Sequence, residues 1–297
     1  MTARTVESVE PHAPPAGRRI ARRPNRWNLL GVAAVAYVVL QVASVVTTNE
    51  NFAWPMIGRY LFAPPILHGI GLTIWLTVVV MLIGVLLGVP LAIMRISGNP
   101  LVSGAAWCYV WVFRGTPLLI QVIFWFNISA LFPVIHLSIP FGPSLALGSA
   151  NSLITPLTAA VIALALNEAA YMAETIRGGL LGVDQGQRDA ARALGMTGSG
   201  VLRMIMPQAM RMIIPPTANN TITTLKNTAL VSVIGIADLL HSAQIIYAQN
   251  YQTIPLLIVA ALWYLALTSL LGIGQNRLER HFGKGARPMA ARGRDGR

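Results

Sequence analysis

Long runs of apolar residues, separated by short polar stretches, dominate the chain. A helix needs about 20 residues to cross the ~30 Å hydrocarbon layer of a membrane. Six runs come close to or exceed that length with at most one charged side chain each, and they predict spans at Asn28–Thr48, Ile66–Met94, Thr116–Ile135, Pro156–Met172, Ile213–Ile236 and Ile254–Ile273. The pattern therefore predicts an all-α fold, a polytopic membrane helical bundle of about six transmembrane helices.

The most polar interior stretch, Asn167–Pro216, connects the fourth and fifth spans. Within it, Asp189–Leu194 predicts a short helix that ends at Gly195, a residue suited to the left-handed conformation of a helix C-terminus. A second helix is predicted from an N-cap at Ser199 to Pro207, because proline cannot donate to the helix ladder. The pattern indicates a helix–turn–helix at the membrane surface.

Four further features carry local predictions. Leu101–Phe113 predicts an interfacial helix on the cytoplasmic side. The three prolines in Phe132–Ser152 predict an external loop. Asp238–Gln252 has apolar residues at helical spacing and predicts an amphipathic helix that lies on the membrane or faces a partner. Gly84 and Gly88 form a GxxxG pair, which predicts close packing against another helix.

The distribution of charge sets the predicted orientation. The chain has 297 residues, of which 55% are hydrophobic and 11% charged, and its net charge is +12. With a cytoplasmic amino terminus, 20 of the 22 basic residues lie inside, Arg59 lies in an external loop and Lys226 lies within a span. This positive-inside pattern places both termini in the cytoplasm and indicates contact with membrane lipid, not nucleic acid. Residues 1–26 predict a disordered basic tail, and residues 277–297 a second basic tail.

The sequence lacks the marks of a catalytic chain. No GxxxxGK[ST] motif occurs, and no serine–histidine, glutamate–histidine or paired-aspartate arrangement has useful spacing. The single Cys108 and the five scattered histidines do not have the spacing of a metal site, and we expect no cofactor. We interpret the chain as a non-catalytic membrane subunit, so any ATP hydrolysis must come from a separate subunit.

Polar residues inside two of the spans are candidates for a substrate pathway. Glu168 is the only acidic residue well inside a predicted span. A charge there costs about 2.5 to 3.5 kcal/mol on insertion scales, so we expect it to face a polar cavity or a partner. Two interpretations stay open, a contact with a cationic group of the substrate or a structural bond to Lys226 or to the Asn and Thr residues of the fifth span. The candidate pathway residues are Asn167, Glu168, Asn220, Thr224 and Lys226.

The central polar stretch resembles the EAA loop of the membrane subunits of bacterial ATP-binding-cassette importers. The pattern appears as Asp189-Ala190-Ala191, then Gly195, then Ile205-Met206-Pro207. The flanking segments GQRDAARALG and MPQAMRMIIPPTANNTITTLKNTAL, with FRGTPLLIQ earlier in the chain, resemble the polar amino acid permease branch. The sequence departs from the family in having Asp189 where Glu is usual, and Asn227 with Ala229 where the branch often has Asp and Ser.

This resemblance implies a type I importer permease with a core of five spans at residues 66–276 and an EAA loop at about 173–212. Residues 27–65 would add an N-terminal transmembrane helix and an external loop. The implied partners are two ATPase subunits, a second permease of the same or a similar chain, and an extracytoplasmic solute-binding protein, at a bacterial inner membrane. The implied ATPase-docking residues are Gly186, Arg188, Asp189, Ala190, Ala191, Arg192, Gly195 and Pro207.

The function implied by the resemblance is the uptake of polar amino acids, driven by the separate ATPase. The small alanines would leave the first loop helix thin enough to enter a groove of that ATPase, with Arg188 and Arg192 at the rim. Two alternatives stay open. The same architecture could carry an osmolyte or another small polar solute, and an ATP-independent channel or secondary carrier would need no ATPase.

We expect Cys108 to be cytoplasmic and a cysteine placed at Arg59 to be external, because the basic-residue asymmetry requires it. An impermeant thiol reagent should label an Arg59→Cys, Cys108→Ser variant in intact cells. The natural Cys108 should react only after permeabilisation. Labelling of Cys108 in intact cells would contradict the predicted orientation.

Overall fold

The computed structural model describes residues 26–138 and 144–282. Most of the two predicted basic tails therefore lies outside the described residues. The chain divides into two compact units, residues 1–52 and residues 53–297. In the first unit, helix α1 (Arg26–Thr48) is followed by a 3-10 turn (Glu50–Phe52). Its apolar side chains are exposed around the helix, which suits a helix whose solvent is lipid. This helix confirms the first predicted apolar span to within two residues.

The second unit contains the remaining helices and a β-hairpin. Its helices are α2 (Trp54–Tyr60), α3 (Pro64–Arg95), α4 (Pro100–Gly115), α5 (Leu118–Phe126), α6 (Ala150–Leu153), α7 (Pro156–Leu181), α8 (Gln185–Ala193), α9 (Gly198–Asn227), α10 (Leu239–Asn250) and α11 (Thr253–Phe282). The hairpin pairs β1 (Val134–Ser138) with β2 (Ser144–Ser149) in antiparallel fashion. Two 3-10 segments, Ile128–Ala130 and Thr228–Ile234, follow α5 and α9.

Four helices in the described part of the chain are long and apolar enough to cross a membrane: α1, α3, α7 and α11. The pairs α4–α5 and α9–α10 pass the same test only as bent pairs, with bends of 100° and 43°. Counting each pair as one broken span gives six. The predicted number of spans thus agrees with the structure, and the 43° bend lies at the end of the fifth predicted span, between Ile234 and Leu239.

Close contact between α3 and α7 forms the centre of the second unit. A Cβ atom added at Gly84 would lie 2.7 Å from Cγ of Glu168, and one added at Gly88 would lie 2.7 Å from Cβ of Met172. These distances are too short for a side chain, so the two glycines permit the helices to approach. The predicted role of the GxxxG pair in helix packing is confirmed. At one end of the contact, Arg95 Nε of α3 donates to Glu174 Oε1 of α7 at 3.2 Å.

Buried apolar side chains continue from this contact into the neighbouring helices. Ile176 and Leu180 of α7 pack in one cluster with Val201, Ile205 and Ile213 of α9. A second cluster joins α3 to α10 and α11 through Ile66, Ile70, Leu239, Ala243, Leu256 and Val259. The helix predicted at Asp238–Gln252 therefore exists, with Asp238 as its N-cap. Its apolar side chains pack into the protein core, which corrects the expectation of a helix lying on the membrane.

The third predicted span is wrong as a continuous helix. Helix α5 has 9 residues, which extend only about 13 Å at 1.5 Å per residue. The chain then enters the 3-10 segment and the hairpin, so the expected loop at Phe132–Ser152 contains paired strands within its described residues. The helix predicted at Leu101–Phe113 is confirmed as α4, and it meets α5 at a sharp corner.

The predicted end of the second loop helix at Pro207 is also wrong. Helix α9 continues through Pro207, Pro215 and Pro216 to Asn227. The buried residues Ile205, Ala209 and Ile213 stand on both sides of Pro207 in one apolar cluster. This shared packing keeps one helix axis although proline removes a ladder hydrogen bond. The N-cap is Thr197, two residues before the predicted Ser199, because the side chain of Thr197 accepts a hydrogen bond from Gly200 N at 3.3 Å.

We expect Gly88→Ala to destabilise the fold by about 1 to 3 kcal/mol, because its methyl group would overpack the α3–α7 contact. Gly71→Ala in the same helix is the matched control, since no atom lies within 4 Å of its added Cβ. Thermal unfolding of the purified chain in detergent should show a lower midpoint for Gly88→Ala and no loss for Gly71→Ala. Equal midpoints for the two variants would contradict this account of the contact.

Candidate functional site

The corner between α4 and α5 is fixed by buried amide side chains. Gln121 Nε2 donates to the carbonyl oxygens of Phe113 at 2.9 Å and Thr116 at 3.1 Å, and to Thr116 Oγ1 at 2.8 Å. Asn167 Nδ2 of α7 donates to the same Phe113 carbonyl at 2.7 Å. The 100° bend leaves these two carbonyl groups without a hydrogen bond inside either helix. The amide side chains supply the missing donors. The corner is tied to α7 at the residue next to Glu168.

This corner forms one wall of a cavity of about 540 Å³, which we call the polar cavity. Helices α7 and α9 form the other walls. Amide, hydroxyl and charged side chains are frequent in the lining, in contrast to the apolar clusters around it. The lining residues are Arg114, Gly115, Thr116, Pro117, Leu118, Asn167, Glu168, Tyr171, Asn219, Asn220, Thr223 and Asn227.

Glu168 is the buried acid of the polar cavity, with 7% of its surface exposed. Its Oε2 accepts a hydrogen bond of 2.8 Å from Thr224 Oγ1. Its Oε1 has no hydrogen-bond partner in the described part of the chain. A buried carboxylate oxygen without a partner is costly. Glu168 thus combines a place in the cavity lining with one buried oxygen that lacks a hydrogen-bond donor among the described residues.

Arg114 carries the positive charge of the polar cavity. Its Cζ lies 5.0 Å from the ring centroid of Tyr171, a cation–π distance. The described residues give Arg114 no acidic partner, and it does not form an ion pair with Glu168. Arg114, which is exposed, and the buried Glu168 thus line the same cavity without a direct ion pair.

The structure brings together three of the five predicted pathway residues. Asn167, Glu168 and Asn220 line the polar cavity. Thr224 is buried behind it and reaches Glu168 through the hydrogen bond described above. Lys226 is exposed, lies outside the lining and makes no ion pair with Glu168 among the described residues. Of the structural bonds considered for Glu168, the one to a threonine of the fifth span occurs and the one to Lys226 does not.

Sequence reasoning missed several lining residues. It counted Arg114 among the cytoplasmic basic residues and did not include it in the candidate pathway, and the structure places Arg114 in the cavity wall. It did not single out Tyr171, although spacing gave a signal, since Tyr171 follows Glu168 by three positions on a helix. Asn219, Thr223 and Asn227 belong to the same polar run as Asn220 and complete the lining.

A second cavity, of about 550 Å³, lies between α3, α7, α9 and α11. Its lining contains no charged residue and is formed mainly by aliphatic and methionine side chains such as Ile176, Met206, Met210 and Leu271. A polar solute would find few hydrogen-bond partners there. The polar cavity is therefore the better candidate for a site that receives a small polar or charged molecule.

The loop between α7 and α9 carries the predicted docking helix. Helix α8 ends before Gly195, whose φ of 72° confirms the predicted left-handed position. Ala191 is 1% exposed and packs with Val183 and Val201 of its own chain. This corrects the expectation that Ala191 enters a partner's groove. Arg188 also turns inward, because its Nη2 donates to the carbonyl oxygen of Leu180.

The remaining docking candidates are exposed. Asp189, Ala190 and Arg192 are exposed, and Arg192 Nη1 lies 3.9 Å from Asp189 Oδ1. Gly186 and Pro207 are also exposed. The sequence did not single out Leu194, which is 82% exposed at the end of α8. An exposed leucine beside small residues offers an apolar contact to another protein.

A membrane helical bundle with a polar cavity, and with a short helix between α7 and α9, is typical of a membrane transport subunit. The model of one family, the binding-protein-dependent transport system inner membrane component, matches residues 84–284. The chain belongs to this family. It is a permease subunit of a binding-protein-dependent transporter, which confirms the prediction from the EAA resemblance.

Relatives and solved structures agree with this assignment. The chain is 44% identical over 276 residues to the arginine transport system permease protein ArgU of Corynebacterium glutamicum, covering 91% of this chain and 84% of that protein. It is 33% identical over 229 residues to the glutamine transport system permease protein GlnP of Escherichia coli K12, covering 76% and 94%. It is similar to a chain in a crystal structure of an amino acid ABC transporter with histidines, with a TM-score of 0.65, 36% identity and coverage of 75% and 97%.

Proposed function

We propose that this permease carries amino acids through the polar cavity, driven by a separate ATPase. The observation that carries the proposal is Glu168, a buried acid in the lining of a cavity of about 540 Å³, with one buried oxygen that lacks a hydrogen-bond partner among the described residues. Every amino acid has an α-ammonium group that can donate to such an oxygen. The relatives named as arginine and glutamine permeases support an amino acid as the substrate.

Basic amino acids suit the site because they bring a second cation. The side-chain guanidinium of arginine is a strong donor to a carboxylate. The amides of Asn167, Asn220 and Asn227 can accept from or donate to the rest of a polar substrate. The higher identity to the arginine permease than to the glutamine permease also favours a basic substrate.

The proposed motor contact is the outer surface of α8 and the turn that follows it. Asp189, Ala190, Arg192 and Leu194 are exposed there, on a helix that packs onto α9 through Ala191. Since α9 also lines the polar cavity, movement of α8 can reach the cavity through one continuous helix. We place this loop and both termini in the cytoplasm. We place a second permease, two ATPase subunits and an extracytoplasmic binding protein around the chain.

We expect Leu194→Asp to weaken association with the ATPase at least about tenfold, because burying a leucine contributes about 1.5 to 3 kcal/mol. Leu194→Met keeps an apolar side chain and should retain binding. Copurification of the ATPase encoded beside this gene, with the permease tagged, measures both variants. Normal ATPase binding by Leu194→Asp would remove Leu194 from the contact.

Ala191→Trp should reduce folding of the permease itself, because Ala191 is buried in its own core.

We expect Glu168→Gln to lower kcat/KM for amino acid transport about 10-fold to 100-fold, because a hydrogen bond to a charged group contributes about 1.5 to 3 kcal/mol. Substrate-stimulated ATP hydrolysis and uptake in proteoliposomes, with the ATPase and binding protein, provide the measurement. Glu50→Gln is the control, since Glu50 is exposed and lies outside the polar cavity. Wild-type kinetics in a normally assembled Glu168→Gln complex would overturn the proposed substrate contact.

A further inference from the structure

The apolar cavity between α3, α7, α9 and α11 has no part in the proposed transport of a polar solute. Its volume is about 550 Å³, and its lining contains no charged residue. Cavities with apolar walls exclude water and take up apolar molecules instead. Leu202 and Met210 in the lining are 40% and 39% exposed, so the cavity opens at the surface of the described chain. An apolar molecule can therefore enter it from the side.

The directions of the four helices bring particular helix ends together. The starts of α3 and α11 pack in one apolar cluster, and the two glycines of α3 meet α7 in chain order. Helix α9 runs the opposite way, because Asn220 contacts Thr175 whereas Ile213, earlier in α9, faces Gly179, later in α7. The start of α9 therefore lies at the same end of the bundle as the ends of α3, α7 and α11.

Two arginines extend the cavity lining at this end. Arg203 precedes the lining residue Met210 by seven positions on α9, and Arg277 follows the lining residue Leu270 by seven positions on α11. Seven residues make nearly two full turns, so each arginine lies on the same helix face as the lining. Both are exposed, and neither has an ion-pair partner in the part of the chain that the structure describes.

Positive charge exceeds negative charge at these two helix ends. The last two turns of α11 carry Arg277 and Arg280 with one acid, Glu279, and the first two turns of α9 carry Arg203 with no acid. Glu279 Oε1 accepts a hydrogen bond of 2.9 Å from Gln275 Nε2 and forms no ion pair with Arg277. The mouth of the apolar cavity therefore attracts an anionic group.

The length of the cavity matches a lipid chain. Its lining residues on α9 run from Leu202 to Thr221, a rise of about 28 Å at 1.5 Å per residue. One leaflet supplies about half of the ~30 Å hydrocarbon layer, so an acyl chain fits lengthwise beside α9 with its headgroup near Arg203. Met206 and Met210 are unbranched and flexible, and such side chains adapt to an irregular apolar guest.

We propose that the apolar cavity binds an acyl chain of an anionic phospholipid, and that Arg203 and Arg277 bind its phosphate group. A guanidinium donates two parallel hydrogen bonds to phosphate, and basic residues beside membrane spans favour anionic lipids. The lipid would contact α9, the helix that also lines the polar cavity. This assignment is independent of the transported substrate.

The headgroup is tested with two lipids that have identical acyl chains, phosphatidylglycerol and phosphatidylcholine. Each is titrated into the delipidated permease–ATPase complex in detergent, and native mass spectrometry measures the bound fraction. We expect the wild-type complex to bind phosphatidylglycerol about 10-fold to 100-fold more tightly, because charged groups strengthen the hydrogen bonds. Arg203→Gln and Arg277→Gln should each lower this affinity ratio at least about threefold. Arg280→Gln is the matched control, since Arg280 follows the lining residue Leu271 by nine positions and lies on the opposite face of α11.

The acyl chain is tested by filling the cavity. Gly274 lines it, and no atom lies within 4 Å of a Cβ added there. Gly274→Leu therefore places a side chain in the cavity without a clash, and it should weaken the binding of both lipids at least about tenfold while keeping their ratio. Gly272→Leu is the matched control, because Gly272 has the same free space around its added Cβ and does not line the cavity.

The outcomes separate the two parts of the assignment. Equal wild-type affinity for the two lipids, or equal losses of the ratio in Arg277→Gln and Arg280→Gln, overturns the phosphate contact. Unchanged lipid binding by Gly274→Leu places the lipid on the outer surface only and overturns the cavity assignment. A wild-type complex that retains neither lipid, as when a second copy of the chain covers the cavity, overturns both. If one arginine variant fails to assemble, the other arginine variant and Gly274→Leu decide.

Discussion

The need to bury a carboxylate inside an apolar helical bundle governs the structure around Glu168. The absence of a side chain at Gly84 lets α3 pass beside the Glu168 side chain, and Thr224 of α9 supplies one hydrogen bond. The corner of α4 and α5 places the exposed Arg114 in the lining of the same cavity. Three separate segments of the sequence are thus arranged about one acidic residue.

The same helices connect this cavity to the loop that carries α8. Helix α7 carries Glu168 and, two turns further on, Glu174, which is held by Arg95 and Arg177. Helix α9 packs against α8 through the cluster that contains Ala191 and Val201, and it lines the cavity at Asn220. A force applied at α8 therefore acts on elements that form the cavity walls. This continuity gives the proposed ATPase a physical route to the substrate site.

Local signals in the sequence predicted much of this arrangement. Apolar run length predicted α1, α3, α7 and α11, the spacing of Gly84 and Gly88 predicted a close helix contact, and Gly195 predicted a left-handed turn. The position of Arg114 could not be predicted in this way. Its place in the cavity wall depends on α5 folding back by 100° and on hydrogen bonds from Gln121 and Asn167, which are distant in sequence from one another.

Two further errors have the same physical origin. The three alanines of α8 are alike in composition, and only packing against α9 determines that Ala191 faces inward while Ala190 faces outward. Pro207 breaks an isolated helix, but α9 continues because apolar residues on both sides of it share one cluster. Local propensity gave the correct kind of element in both places. Tertiary contacts then set its orientation and its end.

The central proposal is that an amino acid binds in the polar cavity beside Glu168. An electron cryomicroscopy structure of the permease–ATPase complex, prepared with saturating L-arginine or L-glutamine, tests it most directly. We predict ligand density in the polar cavity, in contact with the Glu168 carboxylate. An empty polar cavity under saturating conditions, or ligand density confined to the apolar cavity of α3, α7, α9 and α11, would contradict the account.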